Sequence, residues 1–200
     1  MHRSLLTADH LRGTALTSFL VGGFAAGWGI SGSLALPGLA GRVALILILA
    51  VTVALFGFAV TFLRAAPGWP SAIGQRSNPF RTRDYQLAVL AEIIAIPLTG
   101  RLLTMAARPD AVMPAVAAIV GLHFFGLVRA FQSWRFAVVG AGMVLLALLS
   151  LTLPPCVTVG PTGAPLGVRA AVVGLGCALL LWGGIAPLVI GTWRQMGEAV

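Results

Sequence analysis

The sequence predicts an all-α integral membrane protein, built as one bundle of six transmembrane helices with both termini in the cytoplasm. Of its 200 residues, 58% are hydrophobic and only 9% are charged, whereas a soluble domain carries about 25% charged residues. Its apolar runs approach or exceed the length of about 20 residues that a helix needs to cross a bilayer. Because lipid offers no hydrogen bonds to the backbone, each of these runs should be helical.

Six apolar segments divide the chain, and together they form a single predicted domain over residues 1–200. The first segment is longer than the apolar core of a usual signal peptide, so we expect it to stay in the protein as a transmembrane helix. The segments cover approximately residues 14–36, 43–63, 85–105, 113–131, 136–153 and 168–193.

The arginines indicate the orientation of the bundle, because cytoplasmic loops of membrane proteins carry the excess of positive charge. All 13 basic residues are arginine. Arg42, Arg108 and Arg169 lie on the side away from the termini, and Arg101 lies inside the third segment. We therefore expect both termini in the cytoplasm and the protein in the cell inner membrane. Nine arginines lie on the side of the termini: Arg3, Arg12, Arg64, Arg76, Arg81, Arg83, Arg129, Arg135 and Arg194.

Composition also excludes some classes of function. The chain has no lysine, so no Schiff base to a cofactor can form. The net charge of +8 does not predict a nucleic-acid partner, because the arginines are spread over short loops and form no stripe. The partner that the composition predicts is the lipid bilayer.

Glu92 and His123 are the only carboxylate and the only imidazole within the apolar segments. Ionisable groups in hydrocarbon are costly and commonly face a protein interior, where they mark a site. Glu92 lies about 10 Å along the third segment from Tyr85, and His123 lies about 12 Å along the fourth from Phe131. The short connection over residues 106–112 makes these segments antiparallel neighbours. We expect the two side chains to meet at one depth.

Three further residues complete the predicted binding site. Tyr85 and Thr99 share a helical face with Glu92, and Arg129 lies near the cytoplasmic end of the fourth segment. Two interpretations of the central pair stay open. A neutral carboxylic acid suits proton exchange at a functional site, whereas a carboxylate beside a protonated histidine suits a structural pair that ties two helices together.

The small number of histidines and acidic residues at membrane depth argues against an enzyme that depends on a metal, a cofactor or a catalytic triad. A bis-histidine haem needs two imidazoles at membrane depth, and His2 and His10 lie in the N-terminal tail. A zinc hydrolase needs three protein ligands, and no aspartate accompanies His123 to build a catalytic triad. We expect no metal, no cofactor and no catalytic residues.

The sequence around His123 carries a family resemblance. The run Val120-Gly121-Leu122-His123-Phe124, preceded one segment earlier by a membrane glutamate, resembles a motif of small bacterial multi-pass membrane proteins of uncharacterised function. In those proteins the pattern continues to Pro-Leu-Ala, whereas here Gly126 and Val128 replace the proline and the alanine. The resemblance covers the third and fourth segments and implies that Glu92 and His123 act together.

Gly23 and Gly27, four residues apart in the first segment, allow close approach of a second helix. They indicate either packing within the bundle or a docking face for a second copy or a membrane partner.

Three functions follow as hypotheses. The first is binding or transport of a small solute at Glu92 and His123. The second is a membrane-embedded binding subunit, since helix number, length and orientation resemble the substrate-binding components of energy-coupling-factor vitamin importers. The third is a structural protein without a solute.

Overall fold

The computed structural model describes residues 6–71, 82–160 and 163–198, which form a bundle of α-helices. Five helices are long and apolar enough to cross a membrane, counting the short 3₁₀ turns that extend two of them. These helices identify a multi-pass membrane protein, and the all-α prediction is confirmed. The six helices are α1 Ala8–Leu34, α2 Gly38–Ala65, α3 Arg83–Met105, α4 Val112–Phe131, α5 Arg135–Leu151 and α6 Val168–Gly197.

Each predicted segment is helical, but α1 begins earlier than expected. The Thr7 hydroxyl accepts a hydrogen bond from the backbone N–H of His10 at 3.2 Å, which caps the helix. The backbone N–H of Ala8 donates to the carbonyl of Pro70 at 3.0 Å, and Leu11 is fully buried. Packing of this polar first turn against the chain after α2 extends the helix beyond its apolar segment.

Helices that follow each other in the chain run antiparallel, as do α1 and α6. Along α1, Gly22 faces Phe56 and Gly29 faces Ile48 of α2, so positions rise in one helix as they fall in the other. The same order holds between α1 and α6, where Thr14 contacts Thr192 at 3.4 Å between hydroxyl oxygens. The row of contacting helices is α2, α1, α6, α5, α4 and α3, with α4 also touching α6. Both ends of the described chain therefore lie at one end of the bundle.

Backbones of neighbouring helices approach most closely at glycines. A Cβ atom added to Gly174 of α6 would lie 2.5 Å from the backbone nitrogen of Gly32 in α1, and one added to Gly140 of α5 would lie 2.5 Å from the carbonyl oxygen of Gly121 in α4. By contrast, Gly23 and Gly27 are exposed and have open space around them. The interpretation that these two glycines pack inside the bundle is wrong, because the packed face of α1 lies on the other side of the helix.

A short hairpin lies between α5 and α6. Residues 154–167 contain an antiparallel hairpin of β1 Val157–Val159 and β2 Ala164–Leu166. Strands of three residues are too short to show an alternating pattern in the sequence, and Gly160 and Gly163 adopt positive φ angles at the turn. Of the loop between α2 and α3, residues 72–81 lie outside the described residues.

The contact between Gly32 and Gly174 gives a direct test of this packing. Replacing Gly174 by alanine should destabilise the protein by about 1–3 kcal/mol, because the added methyl group forces two backbones apart. The measurement is thermal unfolding in detergent. Gly23→Ala is the matched control, since its methyl group enters open space. Equal melting temperatures for the two variants would contradict the packing of α1 against α6.

Candidate functional site

The helix α3 packs through one face only. None of its described residues is fully buried, and large apolar residues such as Leu90, Ile94 and Leu98 are more than half exposed, as lipid-facing side chains are. Its partly buried residues recur every three or four positions, which places them along one stripe. Glu92 lies at the centre of that stripe. The stripe comprises Tyr85, Ala88, Val89, Glu92, Ala95, Ile96, Thr99, Gly100 and Leu103.

The stripe packs against α4 in a fixed register. The ring of Tyr85 meets that of Phe131 edge to face, with centroids 6.2 Å apart. One turn further, a Cβ atom at Gly126 would lie 2.8 Å from the Cβ atom of Ala88, so this position needs glycine for the helices to approach. Small residues at such contacts are typical of helix packing in membranes. This register brings Glu92 opposite the next turn of α4.

Glu92 and His123 meet at this position. The Nδ1 atom of His123 lies 3.3 Å from the Oε2 atom of Glu92, and the side chains are 10% and 20% exposed. The distance is that of an ion pair if the ring is protonated, yet Nδ1 makes no hydrogen bond to any described residue. The short distance and the missing hydrogen bond are compatible, because a hydrogen bond requires alignment of donor and acceptor as well as a short distance. The pair is in contact with incomplete hydrogen bonding.

This geometry defines what the pair can do chemically. An ionised carboxylate only accepts hydrogen bonds, whereas a neutral imidazole donates from one nitrogen and accepts at the other. Together they can hold a proton between them or bind a small polar group that donates to Glu92. A buried polar atom without a partner is costly. A small ligand that forms a hydrogen bond with His123 Nδ1 would therefore be stabilised there.

The other predicted site residues lie apart from the pair. Tyr85 and Thr99 are each seven residues from Glu92, which is about 10 Å along the helix axis. Arg129 is exposed, about 9 Å along α4 from His123, and none of the described carboxylates lies within ion-pair distance of it. The structure thus brings together Glu92 and His123, with Tyr85 and Thr99 at the two sides of the same stripe.

The pair supplies two possible metal ligands. Among the described residues, no group of three His, Cys, Asp or Glu side chains could hold a metal ion. Cys177, the other candidate ligand within the apolar segments, is fully buried in a cluster around Ala25 and Met143. That cluster is apolar, so Cys177 acts there as a small hydrophobic residue.

A second polar contact, at the opposite end of the bundle, was not predicted from the sequence. Arg169, at the start of α6, forms an ion pair with Asp110 and donates to the carbonyls of Leu153 at 3.0 Å and Leu151 at 3.2 Å. It therefore joins α6 to the end of α5 and to the turn before α4. Arg101 does not pair with that carboxylate, whose partners are Arg108 and Arg169. The available signal was that Asp110 is the only acid on its side of the bundle.

Comparison of this chain with protein-family models, with curated proteins and with solved structures finds no match. The resemblance of α3 and α4 to small bacterial membrane proteins therefore stays a prediction. The geometry of the Glu92–His123 pair is the basis for a functional proposal.

Proposed function

We propose that this protein is a six-span protein of the cell inner membrane that binds or moves a small solute at Glu92 and His123. The contact of 3.3 Å between Oε2 and Nδ1 carries the proposal. Its support is that the only carboxylate and the only imidazole of the apolar segments share one contact, whereas unrelated polar residues would lie at separate positions. Such residues inside a membrane commonly mark the path of an ion or a solute.

The surroundings of the pair favour a small and polar solute. The neighbouring stripe positions Ala88 and Ala95 carry small side chains, and Glu92 keeps 20% of its surface exposed. A solute that donates a hydrogen bond can therefore reach the carboxylate from the edge of the bundle. His123 Nδ1, which has no hydrogen bond to a described residue, supplies the second contact. No catalytic role is needed for this function.

The structural alternative assigns the pair to holding α3 on α4. Interhelical polar contacts in membranes contribute about 0.6 kcal/mol on average. That is small beside the packing of a whole helix face, so we expect variants of the pair to assemble normally unless holding α3 on α4 is its main role. Assembly and solute binding are therefore separable by substitution.

A second candidate function is supported by the exposed face of α1. Gly23 and Gly27 are exposed with no atom within 4 Å of an added Cβ position, and Ser31 continues the same spacing with its hydroxyl bonded to the carbonyl of Gly27 at 2.9 Å. A partner helix could approach closely there. In this second candidate function the protein is the solute-binding subunit of a larger importer, and its partner would copurify with it in mild detergent.

We expect Glu92→Gln and His123→Asn to weaken solute binding about 10-fold or more, because hydrogen bonds to charged groups contribute about 1.5–3 kcal/mol. Melting of the purified protein in detergent, screened against small polar solutes, finds a ligand by the stabilisation that binding gives. Titration then gives the affinities of the variants. Asp84→Asn is the matched control, since Asp84 is exposed in the first turn of the same helix.

Unchanged binding in both variants would contradict the proposed site. Failure of both variants to assemble in the membrane, with normal assembly of Asp84→Asn, would instead assign the pair to structure.

The two cysteines test the orientation. Cys156 is exposed between α5 and β1, whereas Cys177 is buried. With both termini in the cytoplasm, a membrane-impermeant maleimide should label right-side-out vesicles at Cys156, and Cys156→Ser should remove the label. Label that appears only in inside-out vesicles would contradict the proposed orientation.

A further inference from the structure

A groove of about 790 Å³ runs between α5 and α6, separate from Glu92 and His123. It is almost entirely apolar, with leucines of both helices along its sides. Part of its length is closed: a Cβ atom on Gly176 would lie 2.5 Å from Leu146, and one on Gly142 would lie 3.0 Å from Leu180. At Gly183 nothing lies within 4 Å of the added atom, so the groove is open there.

The groove has the length and the lining that a hydrocarbon chain needs. It is lined along α5 from Trp134 to Leu149, which is about 22 Å by helical rise. Its sides are apolar over that length. One leaflet of the hydrocarbon core is about 15 Å deep, so the groove is long enough for the chain of one lipid.

One end of the groove carries a positive charge. Arg135, the first residue of α5, lines it beside Trp134, and the Trp134 side chain is 71% exposed. Exposed tryptophans lie at the level of the headgroups in membrane proteins. No carboxylate lies within ion-pair distance of Arg135 in the described part of the chain. That part contains every acidic side chain of the protein: Asp9, Asp84, Glu92, Asp110 and Glu198.

We propose that this groove binds one anionic phospholipid, with its headgroup at Arg135 and an acyl chain along the glycine-containing space between α5 and α6. An arginine that has no carboxylate of its own complements the negative headgroup, and the apolar groove begins directly beside it. Basic positions next to clefts between transmembrane helices bind lipid headgroups in this way. The site is distinct from the Glu92–His123 pair and does not depend on the proposed solute.

Brominated lipids, which quench tryptophan on contact, test the proposal on the full chain in bilayers. Phosphatidylcholine bilayers containing brominated phosphatidylglycerol or brominated phosphatidylcholine as a minor component are compared. The signal of Trp134 is isolated by subtracting that of Trp134→Phe. We expect quenching by brominated phosphatidylglycerol to correspond to a local fraction of this lipid near Trp134 about fivefold above its fraction in the bilayer. This is the contribution typical of one arginine at an anionic surface.

Two pairs of variants separate the headgroup from the chain. Arg135→Gln should remove the preference for phosphatidylglycerol, whereas Arg64→Gln, at the same end of the bundle on α2, should keep it. Gly183→Leu places a side chain in the open part of the groove, where an added Cβ atom has nothing within 4 Å, and should lower quenching by both lipids. Gly57→Leu makes the same change in open space on α2 and should have no effect. Equal melting temperatures establish that each variant is folded.

Quenching of Trp134 in proportion to bulk composition would overturn the proposal. A preference that survives Arg135→Gln, or quenching that survives Gly183→Leu, would do the same. Wild-type protein that neither lipid quenches at Trp134 would show that another protein chain covers the groove, which also overturns it.

Discussion

The contact between Glu92 and His123 is the constraint on which this description of the protein depends. Hydrocarbon offers neither group a hydrogen bond, so each must find its partner within the protein. The antiparallel register of α3 and α4 supplies that partner at one depth, and the closeness of Ala88 to Gly126 holds the register. A polar contact and a small-residue contact on adjacent turns therefore specify how the outermost helix meets the bundle.

The rest of the bundle is organised by a different principle. Between α1 and α6, and between α4 and α5, pairs of glycines allow backbones to touch, while buried hydroxyls such as that of Ser18 bond to a carbonyl of their own helix. Within the apolar segments these helices pack without ionisable groups. α3 is the exception, since it combines a largely exposed surface with the carboxylate of the Glu92–His123 pair.

The parts of this structure that could be predicted from the sequence are those whose pattern extends over many residues. The six segments and the meeting of Glu92 with His123 follow from hydrophobic length and from depth along neighbouring antiparallel helices. Sequence spacing did not show which glycines pack, because Gly22 and Gly23 differ only in the side of α1 that they occupy. Likewise, the contact of Arg169 with Asp110 joins residues that are distant in the chain, and its geometry depends on how α6 returns beside α4.

Disulfide formation between Ala88→Cys and Gly126→Cys, with both native cysteines replaced by serine, tests the central contact most directly. Cβ atoms in a disulfide lie about 3.5–4.5 Å apart. An added Cβ atom at Gly126 would lie 2.8 Å from that of Ala88, so a slight separation of α3 from α4 brings the two positions into this range. We expect a cross-link within one chain in native membranes, and none when Leu90→Cys on the exposed face of α3 replaces Ala88→Cys. Absence of the first cross-link, or equal yield from both pairs, would contradict the placement of Glu92 against His123.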